Sequence, residues 1–243
     1  MKKLTALSLS VALCASLATV SLVPASSIAH AAAAKEWVNI SEQVQYYGEV
    51  KNGVPNGRGT MHWGDSKQYS GEFVNGKREG NGKYINEYVQ EGEKHKVVYS
   101  GTWKQDKMEG QGTLTYKVTQ EGDVVRSNEI QTGTFKNGVL QNGYDVIHAL
   151  ADPDYSFTYK NGSEKLEILG TNVGLKTSLK EGTLFSIDYR NGSIHKYYSV
   201  FPADTKSEQR KLNADLKYLR SIQNKLNPHL DEFERLSKQL PLK

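Results

Sequence analysis

The chain has 243 residues, and its 31 basic and 27 acidic side chains give a formal net charge of +4. That balance is too even for a nucleic-acid binder or for strong attraction to an anionic membrane. A single cysteine, Cys14, excludes disulfides, thiolate catalysis and cysteine metal sites from everything that follows it.

Lys2 and Lys3 precede an apolar run over 4–23, and Ala29-His30-Ala31 offers the small-x-small pattern of a cleavage site. The run is interrupted by Ser and Thr and ends at Pro24, which argues against an uncleaved membrane anchor. A secretory signal over 1–31 is predicted, cleaved between 31 and 34. It places the mature chain outside the cell or at the cell envelope.

Between 45 and 147 the chain repeats one pattern four times: Tyr46-Tyr47-Gly48-Glu49-Val50, Tyr69-Ser70-Gly71-Glu72-Phe73, Tyr99-Ser100-Gly101-Thr102-Trp103 and Gln131-Thr132-Gly133-Thr134-Phe135. Three copies continue with a glycine pair, Gly57 and Gly59, Gly80 and Gly82, Gly110 and Gly112. A fixed internal pattern makes each unit one supersecondary element stacked on its neighbours. Here that element is a β-hairpin. Its turn is Asn52-Gly53, Asn75-Gly76 and Asn137-Gly138, two residue types that tolerate positive φ. In the third copy Asp106-Lys107 is expected to take a looser turn. Gly48, Gly71, Gly101 and Gly133 lie inside the strands, where glycine marks close approach of a backbone or an aromatic ring.

The stretch from Tyr69 to Gly82 resembles the MORN (membrane occupation and recognition nexus) repeat almost position for position. Departures are Val50 in the first copy, Thr102 in the third, and Asn142 and Tyr144 in place of the glycine pair in the fourth. The resemblance implies a mainly β fold, an elongated, twisted antiparallel sheet of repeated hairpins. It also implies scaffold, lipid or protein binding without shared catalytic residues.

The strand glycines recur at steps of 23, 30 and 32 residues. Two connecting hairpins are therefore lengthened, with acidic tips at 90–93 and 120–123, and insertions on one face of a repeat array are often where it binds its partner. From 148 to 202 two further hairpins turn at Asn161-Gly162 and Asn191-Gly192, either as decayed repeats capping the sheet or as a β module of their own. The segment 203–243 is helical. Thr205 and Glu208 form a capping box, and Leu212, Leu216, Leu219, Gln223, Leu226, Leu230, Phe233, Ser237 and Leu240 make a heptad seam. Asn227-Pro228 predicts a break between helices over 205–226 and 228–239. The seam either docks on the sheet or zips to a second copy.

No catalytic constellation emerges. The histidines lack metal-ligand spacing, and no nucleophile has an apparent base. No cofactor is expected. Glu49 and Glu72 are the only candidates for a paired-carboxylate hydrolase, and their equivalent repeat positions argue for structure instead. Candidate contact residues are the aromatics Tyr47, Trp63, Tyr69, Tyr84, Tyr99, Trp103 and Tyr116, which would pack the sheet or line a groove, and the basic run Lys94, His95 and Lys96. The sequence thus predicts a secreted, non-enzymatic scaffold for a protein or cell-wall partner, with anionic lipid as the alternative.

Overall fold

The computed structural model describes residues 34–242; the signal segment expected over 1–31 and Cys14 lie outside them. Thirteen strands follow one another: β1 Lys35–Ser41, β2 Val44–Lys51, β3 Val54–Trp63, β4 Lys67–Val74, β5 Lys77–Gln90, β6 Glu93–Lys104, β7 Lys107–Thr119, β8 Val125–Lys136, β9 Val139–Ala149, β10 Tyr155–Asn161, β11 Glu164–Gly170, β12 Ser186–Asn191 and β13 Ile194–Ser199. They form one open sheet in which spatial order equals chain order, and every neighbouring pair is antiparallel. The hairpins after residue 148 therefore extend the repeat sheet and do not form a module apart.

Asn-Gly chemistry sets the turns. Asn52, Asn75 and Asn137 have φ of 53°, 49° and 51°, each followed by a glycine at positive φ. The third copy needs correction: Gln105 and Asp106, at φ of 48° and 69°, make the same two-residue turn, so it is no looser than the others. Its side chains compensate for the missing glycine. Asp106 accepts from the Arg78 backbone N–H at 3.0 Å and from Arg78 Nε at 3.1 Å, and the Gln105 N–H donates to Glu79 Oε2 at 3.0 Å.

Two apolar cores occupy opposite faces of this sheet. On the first face, Tyr46, Met61, Tyr69, Phe73, Tyr99, Trp103, Phe135 and Leu140 are buried. Register places Tyr46, Met61, Tyr69, Tyr84, Tyr99 and Leu114 in one row across β2–β7, and the next positions are Gln131 and Asp145. At that point the apolar side inverts. Ile130 and Val146, pointing the other way, join Phe157, Leu166, Ile168, Ile187 and Tyr189 in the second core. The degenerate fourth copy is where the sheet exchanges one buried face for the other.

Helices cover the second core: α1 Leu175–Glu181, α2 Lys206–Ser221 and α3 Gln223–Ser237. The Thr205–Glu208 capping box is formed in both directions. The seam residues Leu219, Leu226, Leu230, Phe233 and Leu240 are fully buried against the chain's own sheet, so the seam docks in cis. The break falls at Ile222, five residues before the position expected, and Pro228 lies inside α3. Breaking there lets α2 pack on β13 while α3 reaches β9 and α1. Asn227 lies inside α3, and its buried Oδ1 has no hydrogen-bond partner among the described residues. The short helix α1 had no signal in the sequence pattern.

Candidate functional site

The repeat glycines form a line. Gly48, Gly59, Gly71, Gly82, Gly101, Gly112, Gly133 and Gly143 are consecutive cross-strand partners from β2 to β9. Gly143 thus supplies the partner that Asn142 and Tyr144 had suggested was lost from the fourth copy; a bulge at Thr134/Phe135 shifts it into place. On the first face the rings of Tyr46, Tyr69 and Tyr99 lie on three of these pairs so closely that an added Cβ would enter the ring. Their hydroxyls donate to the carbonyls of Glu49, Glu72 and Thr102 at 2.8, 3.1 and 3.1 Å. Burial pushes all three hydroxyls up to about 12, which keeps them protonated donors. The carboxylates of Glu49 and Glu72 sit against Gly57 and Gly80, and Thr102 leaves more room at Gly110. The two glutamates hold equivalent structural positions.

Three segments of the chain are MORN repeats. The family model matches residues 46–68, 69–86 and 99–118. The matched segments carry Tyr46, Tyr69 and Tyr99, the three ring-over-glycine units. No curated protein matches the chain.

The MORN pattern therefore uses one face for its own packing, which removes Tyr69, Tyr99 and Trp103 from any contact surface. The first two are fully buried and Trp103 nearly so. Trp103 donates its indole N–H to the Gly82 carbonyl at 3.2 Å and lies 4.2 Å beneath the Arg78 guanidinium. Tyr84 and Trp63 are half-buried against the same core. Tyr47 alone among the repeat aromatics projects from the opposite face, where its ring lies 5.0 Å from Trp37 at a 36° tilt.

That opposite face carries two parallel rows of polar side chains over β2–β8. One is continuous in register and reads Tyr47, Thr60, Ser70, Lys83, Ser100, Thr113 and Thr132; the other is broken by bulges into the cross-strand pairs Arg58–Glu72, Asn81–Thr102 and Gln111–Thr134. Between them lie two shallow depressions floored by glycine backbone. One of ≈ 560 Å³ includes Tyr47, Arg58, Thr60, Glu72 and Asn81; the other, of ≈ 530 Å³, includes Asn81, Ser100, Gln111, Thr113 and Thr132. Asn81 borders both, so the two depressions adjoin there as a shallow two-part channel. At its far end the hydroxyl row meets Tyr144, where α3 sits: Tyr144 packs edge-on to Phe233 and its hydroxyl lies 2.9 Å from His229 Nδ1.

Sequence reasoning missed Trp37 and, apart from Tyr47 and Glu72, both rows. The available signal was alternation: residues next to a repeat glycine must face away from the tyrosine.

The lengthened hairpins hold a second cluster. His95 stacks between Tyr88 (4.8 Å) and Tyr116 (5.8 Å), and its Nδ1 lies 2.6 Å from the Tyr116 hydroxyl. Lys94 and Lys96 point to the other side and pair with Asp123 at 3.3 Å and Glu87 at 2.7 Å. The basic run is thus largely neutralised. Beyond the stack, Gln131 Nε2 donates to Glu129 Oε1 at 2.7 Å and to Asp145 Oδ2 at 3.2 Å. Burial, reinforced by the Asp145 charge, pushes Glu129 up to about 7. Among the described residues no group of His, Cys, Asp and Glu is placed to hold a metal ion.

Proposed function

We propose that this chain is a non-catalytic binding scaffold of the cell envelope. Its MORN repeats build a rigid sheet from one face and present the polar channel of the other face to a partner. The observation that carries the reading is the division of labour between faces. The repeat tyrosines, glycines and second aromatics are consumed by packing, and residues beside each glycine, Glu72 among them, line a channel across seven strands. Rigid elements hold such a surface more accurately than loops do. Secretion rests on the amino-terminal charge and apolar pattern, and the lengthened hairpins flank the channel as additional contact elements.

Sedimentation of the purified protein with envelope fractions tests the proposal. Retention that variants in the channel abolish supports it; uniform failure to retain any component overturns it. The lipid alternative finds less support, because ion pairs occupy Lys94 and Lys96. Sedimentation with anionic vesicles that weakens as salt rises would restore it.

A further inference from the structure

The chemistry of the channel specifies its occupant more narrowly. Resting on the scaffold reading above, we propose that the channel binds an extended glycan chain, laid across the strands with its outer end on the Trp37–Tyr47 platform.

Four features carry this. First, the lining is dominated by small hydroxyls and amides, with Lys35 and the Arg58–Glu72 cross-strand pair as its charges and Lys83 beside it in the hydroxyl row. Second, much of this lining has unused capacity. Ser100, Asn81 and Lys83 make no side-chain hydrogen bond among the described residues. Thr113 and Thr132 bond each other at 3.1 Å, and Thr60 and Ser70 at 2.9 Å. Each hydroxyl pair spends one donor internally and keeps another, together with lone pairs, for a polyhydroxylated ligand. Third, the aromatic platform lies in register with the hydroxyl row, since Trp37 pairs Tyr47 and Tyr47 pairs Thr60. Trp37 is 68% and Tyr47 41% exposed. Exposed aromatic surface beside hydrogen-bonding groups suits the alternating apolar and hydroxylated faces of a sugar ring. Fourth, the dimensions match a polymer. Strands recur every ~4.8 Å, so the channel from β2 to β8 runs about 30 Å with one hydroxyl-bearing position per strand nearly throughout.

A peptide fits less well. Peptide capture on a sheet uses a free strand edge or apolar side-chain pockets. In the channel the backbone is already committed to the ladder on both sides, and the walls offer polar side chains.

The test is calorimetric titration of the purified protein with a soluble β-1,4-linked N-acetylglucosamine hexamer and with the corresponding glucose hexamer. Trp37→Ala and the near-isosteric pair Thr113→Val with Thr132→Val serve as channel variants. Val173→Ser, exposed on the loop between β11 and α1, serves as control, and melting curves verify folding. Expected is binding of at least one hexamer, weakened roughly three- to tenfold by Trp37→Ala, weakened also by the threonine pair, and unchanged in the control. No binding of either hexamer, or binding indifferent to both channel variants, overturns the inference. Envelope retention that channel variants abolish but that protease treatment of the envelope also abolishes assigns the channel to a protein. In that case the glycan inference falls and the scaffold reading stands. Absence of envelope retention altogether removes the scaffold reading itself.

Discussion

The Tyr69 ring lies flat on Gly82, one strand away, close enough that no side chain fits between them. The Tyr69 hydroxyl bonds the Glu72 carbonyl at 3.1 Å, and the same arrangement recurs at Tyr46 and Tyr99. This relationship explains why the repeat pairs an aromatic with glycines: neither residue has its purpose without the other.

Gly82→Ala should therefore be among the most damaging single-methyl additions in the sheet. The new Cβ would meet the Tyr69 ring carbons and hydroxyl, so overpacking costs about 3 kcal/mol. Gly110→Ala is the matched comparison. Its nearest neighbour is Thr102 Cβ at 3.4 Å, and the cost there is mainly the positive φ of 78°, about 1–2 kcal/mol. Urea denaturation of the two variants checks the order.

Arg78 ties the second repeat to the third. Its guanidinium covers Trp103 at 4.2 Å, bonds Asp106 Oδ1 at 3.1 Å and reaches the Asp106 carbonyl at 2.8 Å. Arg78→Ala should destabilise by about 1–2 kcal/mol, and Arg78→Lys should recover little, because an ammonium cannot stack and fork together. Thermal melting of the three proteins is the measurement.

The repeat sheet was legible in the sequence because Asn-Gly turns and period-two patterning are local signals. The sequence does not decide where the seam docks, since Leu219 and Leu230 would be equally apolar against a second chain or against β-strands. The break at Ile222 was not legible. Pro228 is the strong local breaker, yet packing on β13 and β9 decided where the chain bends. The channel was harder still. Ser70, Ser100 and Thr132 look like filler beside their glycines, and only the register, which is a long-range property, lines them up.

Phe233 is the anchor of α3, packed against Tyr144 at 5.7 Å and Phe157 at 5.2 Å. Phe233→Ala should cost about 3–5 kcal/mol and expose the second core. Increased binding of a hydrophobic dye, with the β-sheet circular dichroism largely kept, is the expected signature.

The Glu129–Asp145 site predicts a pH dependence. Glu129 is raised from the ordinary 4.5 to about 7, so between those values the folded chain holds a proton that the unfolded chain has lost. Stability contributed by this site is complete below pH 4.5 and declines as pH rises toward 7. After allowance for partial solvent screening the loss is about 1–2 kcal/mol. Glu129→Gln should flatten that part of the stability curve and be the more stable protein at pH 7. His229 acts with the opposite sign: burial lowers it, so its contribution is lost as pH falls through the ordinary histidine value of 6.5. Denaturation at a series of pH values in Glu129→Gln and His229→Gln separates the two.

Over the repeat strands β2–β8, one face of the sheet is structure and the other is the proposed binding surface. Retention on envelope fractions of the Ser100→Arg, Thr132→Arg double variant tests it most directly, since both side chains project into the channel while leaving the tyrosine face untouched. The expected result is loss of retention by at least about tenfold, equivalent to ~1.4 kcal/mol, with an unchanged melting temperature. Retention equal to that of the original protein would contradict the claim.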